Sequence, residues 1–188
     1  VRGFGFDGGD QLNLGDSDAL SFTTGAVDSP FSLSCIAKQT ADATAFLMGK
    51  ATASNNGEYI LAAFLVGAAV RIYFLQIDET AVAWIGRYGD LGAGAFLRFR
   101  TFLATSNGTG IGGMKIYADG TRVDTTNTTS GVYVRMRNTD KALRIGGGNA
   151  GYTALNGSMV LSGVHNYEIS PLQVKALGAR LHRQARVA

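Results

Sequence analysis

The sequence predicts an all-β protein: a two-sheet antiparallel sandwich closed by a short C-terminal helix. Three observations lead there. Apolar and polar residues alternate with period 2 in several segments, the mark of half-buried strands. Glycine is abundant at 26 residues while proline is rare at two, so the breaks come from glycine, as suits strands joined by tight turns. Turn signals recur roughly every 8–12 residues, the spacing of a sandwich.

The segments follow in chain order. In "FSLSCIAK", Phe31, Leu33 and Cys35 fall on one face and Ser32 and Ser34 on the other. The stretch "EYILAAFLVGAAVRIYFLQ", Glu58 to Gln76, is the most apolar in the chain. A membrane helix needs about 20 apolar residues. Tyr59 to Leu75 is shorter than that, holds Arg71, and is divided by Gly67-Ala68-Ala69 into halves of strand length. It therefore predicts two adjacent strands with no membrane span, and Thr80 to Tyr88 predicts a third. Trp84, the one tryptophan, sits among apolar neighbours and is expected to pack in the core. In "LRFRTFLAT", Leu97, Phe99 and Leu103 alternate with Arg98 and Arg100. In "VYVRMRN", Val132, Val134 and Met136 alternate with Tyr133, Arg135 and Arg137. "MKIYADGTRV" carries Asp119-Gly120 between short strands, a hairpin signal. Ser54-Asn55-Asn56-Gly57, Ser106-Asn107-Gly108, Gly146-Gly147-Gly148 and Asn156-Gly157 read as turns. Ser170-Pro171 opens the helix, in which Val174, Leu177 and Leu181 recur at helical spacing.

One core domain over residues 1–178 and a basic tail over 179–188, with Arg180, Arg183 and Arg186 at its heart, account for the length. A net charge of +3 is too small to argue for nucleic acid. The single Cys35 cannot make an internal disulfide and is expected inside as a small core residue. The opening "VRGFGFDGG" has no basic segment followed by an apolar one, so no secretory signal is visible.

Two stretches, "FGFDGGDQLNLGDSDALSF" continuing into "DSPFSLSCIAK", and "LNGSMVLSGVHNYEISPLQVKAL", carry a family likeness, with "MKIYADGTRV" and "ALRIGGG" between them. Together they resemble the concanavalin A-like jelly roll, in particular the laminin-G-like and pentraxin-like domains, over roughly residues 4 to 178. The closing strand departs from the family pattern: its acidic pair and arginine are here Val160-Leu161 and Gly163. "FLRF" at Phe96–Phe99 lacks the family's tryptophan.

The resemblance implies a jelly-roll sandwich and two chemistries to weigh. Related glucanases need two carboxylates on one strand face. The only glutamates are Glu58, Glu79 and Glu168, and Asp78 and Glu79 are adjacent, so they point to opposite faces; a glycosidase is not expected. His165 and His182 sit in no catalytic motif, and the glycine-rich "GTGIGG" and "RIGGG" precede strands where a phosphate cradle wants a helix. Relatives often bind calcium at the sandwich rim, and Asp16-Ser17-Asp18 would be its carboxylates here; the alternative is an acidic turn. Sugar sites combine aromatic platforms with polar hydrogen-bonding groups. Loop candidates are Tyr88 and Asp90 in "RYGDLGAG", Asn107 in "TSNGTG", and Asn149 and Tyr152 in "GGNAGY".

Arg98, Arg100, Arg135, Arg137 and Arg144 fall on the polar phase of predicted strands. If those strands are neighbours, they form one basic face suited to an acidic protein surface or acidic glycan. Two functions follow. One is a non-catalytic module that recognises a glycan or glycoconjugate surface. The other is a structural protein docking on a capsid or tail through its basic face. A virion surface or another extracellular location, reached without a visible signal peptide, accommodates both, as does a homo-oligomer.

Overall fold

A computed structural model describes residues 3–53, 55–147 and 153–170, together with Leu172, Gln173, Ala176 and Ala179. Its strands are β1 (Phe4–Asp7), β2 (Leu12–Asn13), β3 (Phe31–Gln39), β4 (Ala45–Ala53), β5 (Asn56–Val66), β6 (Ala69–Asp78), β7 (Ala83–Gly92), β8 (Arg100–Ser106), β9 (Met114–Ala118), β10 (Thr121–Arg122), β11 (Thr126–Ser130), β12 (Arg144–Ile145) and β13 (Asn156–His165). A six-stranded sheet runs β1-β13-β3-β8-β9-β10, and a seven-stranded sheet runs β11-β7-β6-β5-β4-β12-β2. The pairings within them are antiparallel, and together the sheets form a sandwich.

The apolar stretch becomes the β5–β6 hairpin, with a left-handed Gly67 (φ 62°) at its tip. Tyr59 pairs with Gln76 and Val66 with Ala69 in one unbroken ladder. Alternation decides what each residue buries. Leu61, Ile72 and Phe74 enter the space between the sheets, where Phe31, Leu33 and Cys35 of β3 meet them. Phe22 stacks on Phe31 at 4.5 Å, and Phe74 meets Phe31 edge-on at 5.6 Å. Burial pushes the Cys35 thiol up to about 12, so it is an inert core group. Asp119 and Gly120 both take left-handed dihedrals (φ 53° and 81°), the geometry of a two-residue hairpin between β9 and β10.

Four expectations need correction. Leu97 to Phe99 lie before β8, not in it, and it is Phe102 and Ala104 that enter the core. Leu103 faces outward and is covered by Ile169 and Tyr117. Asn156-Gly157 opens β13 instead of turning; a Cβ on Gly157 would come within 2.0 Å of the Lys38 carbonyl oxygen, so glycine lets two backbones meet. Trp84 is half-buried on the outer face of the seven-stranded sheet, beside Leu75 and Ile77, not between the sheets. The fourth is "VYVRMRN". It alternates like a strand but forms none, and Val132 and Val134 are 80% and 62% exposed while Met136 is fully buried.

The outer face of the six-stranded sheet is covered by the chain's own end. Ser32 Oγ donates to the Tyr167 carbonyl (2.8 Å) and accepts from Ile169 N–H (3.0 Å). Ser34 Oγ meets His165 Nε2 at 3.1 Å, and Lys115 pairs with Glu168 at 2.6 Å. Ser170 N–H donates to Gln173 Oε1 (2.9 Å), and the described residues beyond it, Leu172, Gln173, Ala176 and Ala179, do not establish the expected short helix. Val174, Leu177, Leu181, His182 and the tail arginines lie outside the described residues.

Candidate functional site

The site begins with register. β6 and β7 set Arg71 opposite Asp90 and Tyr73 opposite Tyr88. Because Ile72 and Phe74 point inward, these four side chains share the outer face of the seven-stranded sheet. The Tyr73 and Tyr88 rings stack with centroids 4.8 Å apart and planes tilted by 24°. Phe64, from β5, meets Tyr73 edge-on at 4.9 Å. The Arg71 guanidinium lies 5.0 Å from the Tyr88 ring centre, and its Nε–H donates to Asp90 Oδ1 at 2.6 Å. The Arg71 side chain is 29% exposed and that of Asp90 55%. The hydrogen bond to Asp90 raises the guanidinium's already high pKa, so it stays charged. The outcome is a half-buried aromatic surface edged by an exposed carboxylate that accepts and a guanidinium that donates.

Tyr88 and Asp90 are therefore brought together, but on a strand and not in the expected loop. Arg71 and Tyr73 complete the cluster. In the sequence Arg71 stood out only as a charge inside an apolar run; the signal for its role was its register opposite Asp90.

The other candidates are dispersed. Asn107 Oδ1 accepts from the N–H (3.0 Å) and hydroxyl (2.6 Å) of Thr109, holding its own turn. Asn149 and Tyr152 lie outside the described residues. Asp16 pairs with Lys50 Nζ at 2.8 Å, and Asp18 accepts from Asn138 at 2.9 Å. Among the described residues, no three His, Cys, Asp or Glu side chains gather as a metal site would require.

The single basic face does not form. Arg98 is exposed in the turn before β8, and Arg100, at the start of β8, pairs with Asp119 at 2.9 Å. Arg144 belongs to the other sheet, in β12. Arg135 and Arg137 do come together, on the rim segment that replaced the expected strand. Placing all five on neighbouring strands failed because two of the predicted strand segments, around Arg98 and around Arg135, are not strands.

That rim segment is held by three buried carboxylates remote in sequence. Asp28 accepts from Met136 N–H (2.7 Å) and from the Tyr133 hydroxyl. Asp78 accepts from the N–H groups of Val134 and Arg135 (3.4 Å each) and from Arg137 Nε (3.2 Å). Glu58 accepts from Thr139 N–H (2.9 Å) and hydroxyl (3.1 Å). Burial raises the carboxyls of Asp28 and Glu58 despite these donors. Burial alone would raise Asp78 too, but Ala81 N–H and Arg137 outweigh it and leave it below the usual range. Lys50, fully buried, pairs with Glu58 at 2.8 Å. Its burial disfavours the charge, but Asp16 and Glu58 outweigh that and raise it.

No protein-family model and no curated protein matches this sequence. Solved structures match in fold. The CBM40 domain of the Ruminococcus gnavus IT-sialidase, bound to α2,3-sialyllactose, gives a TM-score of 0.63 at 12% identity, covering 95% of this chain and 97% of that one. A botulinum neurotoxin serotype D ligand-binding domain in complex with N-acetylneuraminic acid gives 0.60 at 13% identity, covering 91% and 40%. A native heptameric SAP-like pentraxin from Limulus polyphemus gives 0.54 at 11%, covering 89% and 81%. The chain spans under half the length of the botulinum domains it matches. These likenesses establish the jelly-roll sandwich fold that the sequence motifs resemble.

Proposed function

We propose that this chain is a non-catalytic carbohydrate-binding module that grips a glycan on the outer face of β6 and β7. The observation that carries the reading is the Arg71–Tyr73–Tyr88–Asp90 cluster. Aromatic rings offer apolar surface to a sugar's C–H face, and the ion pair offers a donor and an acceptor to its hydroxyls. Two structural neighbours are recorded with sialyllactose and N-acetylneuraminic acid, which supports a glycan as the ligand class. The non-catalytic half draws on the glutamates: Glu58, Glu79 and Glu168 pair with Lys50 (2.8 Å), Lys141 (3.4 Å) and Lys115 (2.6 Å). Display on a virion or another extracellular surface rests on the sequence alone. Docking on a capsid or tail has less support, since the arginines meant to carry it are spread over both sheets and a rim.

The test is a glycan array carrying sialylated and neutral glycans, probed with the wild type, Arg71→Ala and Tyr88→Ala, each with calcium and with chelator. Specific binding by the wild type should fall about tenfold in Tyr88→Ala, the loss of one aromatic contact. A chelator-sensitive signal would bring Asp16 and Asp18 back as calcium ligands. A blank array, or binding that both substitutions leave intact, sinks the platform.

A further inference from the structure

A groove of about 390 Å³ runs along the rim between the turn at Thr23–Gly25 and the segment Arg135–Asn138. It is separate from the aromatic platform. Two guanidinium groups line it, and they differ. Arg137 is matched by Asp78 at 3.2 Å. Arg135 makes no ion pair among the described residues, and its Nε is buried without a hydrogen-bond partner. A buried donor on a charged group is costly to leave unpaired, more so than a neutral one.

The neighbouring acids do not supply the missing partner. Asp78 is taken by Arg137 and backbone N–H groups. Asp28 feels the Arg135 charge, but its oxygens are taken by Tyr133 and Met136, and its burial favours the neutral carboxyl. Asp18, nearer solvent, accepts from Asn138, whose own Oδ1 accepts from Ser21 Oγ at 3.0 Å. Thr23 and Thr24 stand opposite; their hydroxyls donate over long 3.3 Å bonds to the Val27 carbonyl and accept from Gly25 N–H (3.2 Å) and Val27 N–H (3.3 Å). The groove wall thus holds one guanidinium with no carboxylate hydrogen-bonded to it, a buried Nε–H behind it that lacks an acceptor, and two hydroxyls bonded only within their own turn.

We propose that this groove binds the carboxylate of a small, monosaccharide-sized acid, with Arg135 as its charged contact and Thr23 and Thr24 as hydroxyl contacts. A planar carboxylate suits a guanidinium in two-pronged contact. A single guanidinium with no hydrogen-bonded carboxylate calls for a monoanion; a doubly charged phosphate would leave negative charge without a partner.

The test follows the side-chain Nε–H resonance of Arg135 by NMR in the full chain, titrated with sodium glucuronate, with glucose, and with sodium methyl sulfate, at constant ionic strength. Glucuronate should shift the Arg135 signal and the amides of Thr24 and Gly25 saturably, while glucose should not. Arg135→Gln should weaken glucuronate binding at least tenfold, Arg135→Lys should weaken it less, and Tyr88→Ala should leave it unchanged. The lysine variant keeps the charge and serves as the control if the glutamine variant folds poorly. A linear shift no different from that with chloride overturns the site, as does saturable binding that survives in Arg135→Gln. Saturation by methyl sulfate without glucuronate overturns the carboxylate assignment. Because the platform is probed by Tyr88→Ala and the groove by Arg135→Gln, either can fail alone.

Discussion

The β5–β6 hairpin and the rim segment from Tyr133 to Thr139 are both extended chain, yet different groups hold them. In the hairpin, backbone N–H groups meet backbone carbonyls from Tyr59↔Gln76 to Val66↔Ala69, so few individual side chains are indispensable to the ladder. In the rim segment, the N–H groups of Val134, Arg135, Met136 and Thr139 end on the side chains of Asp78, Asp28 and Glu58. A ladder distributes its bonds over many residues. A segment tied to three carboxylates concentrates them, and exposes its order to single substitutions and to pH.

The largest expected effect comes from Lys50→Met. It removes the cation from fully buried Glu58, which also holds Thr139, and leaves a buried carboxylate without its ion-pair partner. Breaking such a pair costs about 3–5 kcal/mol. Lys115→Met breaks a pair of similar length whose side chains are 26% and 28% exposed, and should cost no more than about 1 kcal/mol. Urea unfolding of the two variants measures the difference; equal costs would mean that Glu58 does not organise the rim.

The pH dependence is expected to run in opposite directions at Asp28 and Asp78. Asp28 is raised by burial, so the unfolded chain gives up its proton near 3.8 while the fold retains it to higher pH. Its stabilising contribution is full below 3.8 and lost as pH rises through the raised value. Asp78 is depressed, so its contribution is present above 3.8 and lost as pH falls through the lower value. The wild type's stability advantage over Asp28→Asn should therefore be larger at pH 4 than at pH 7. Its advantage over Asp78→Asn should be larger at pH 7 than at pH 2.5. Urea midpoints at these pH values check both, and parallel curves for the two variants would remove the distinction between the carboxylates.

The hairpins were legible because their signals are local: Gly67-Ala68 and Asp119-Gly120 announce turns, and alternation on either side announces strands. The rim segment is not legible in the same way, because period 2 reports extended backbone and says nothing about what accepts its hydrogen bonds. Those acceptors are 56 to 108 positions away at Asp78 and Asp28, and no spacing rule links them. The platform was half legible. Tyr88 and Asp90 carry recognisable chemistry, but Arg71 and Tyr73 become their partners only through the β6–β7 register. The basic face does not form because alternation within segments says nothing about their adjacency in one sheet, and β8 and β12 lie in different sheets.

The smallest effect tests the ladder-held region by improving it. Val82 closes the turn between β6 and β7 with a positive φ of 51°, and it is 59% exposed, so it gains little from packing. A β-branched residue in the left-handed region is strained by about 1–2 kcal/mol, and asparagine tolerates that conformation better. Val82→Asn should therefore stabilise by about 1 kcal/mol and raise Tm by roughly 2–4 °C. Tyr73 and Tyr88 lie further along the same pair of strands and are set by a backbone ladder that the substitution does not touch. Glycan binding should accordingly stay at the wild-type level as stability rises. A variant that is more stable yet binds less well would mean that the turn, and not the ladder, fixes the Tyr73–Tyr88 register.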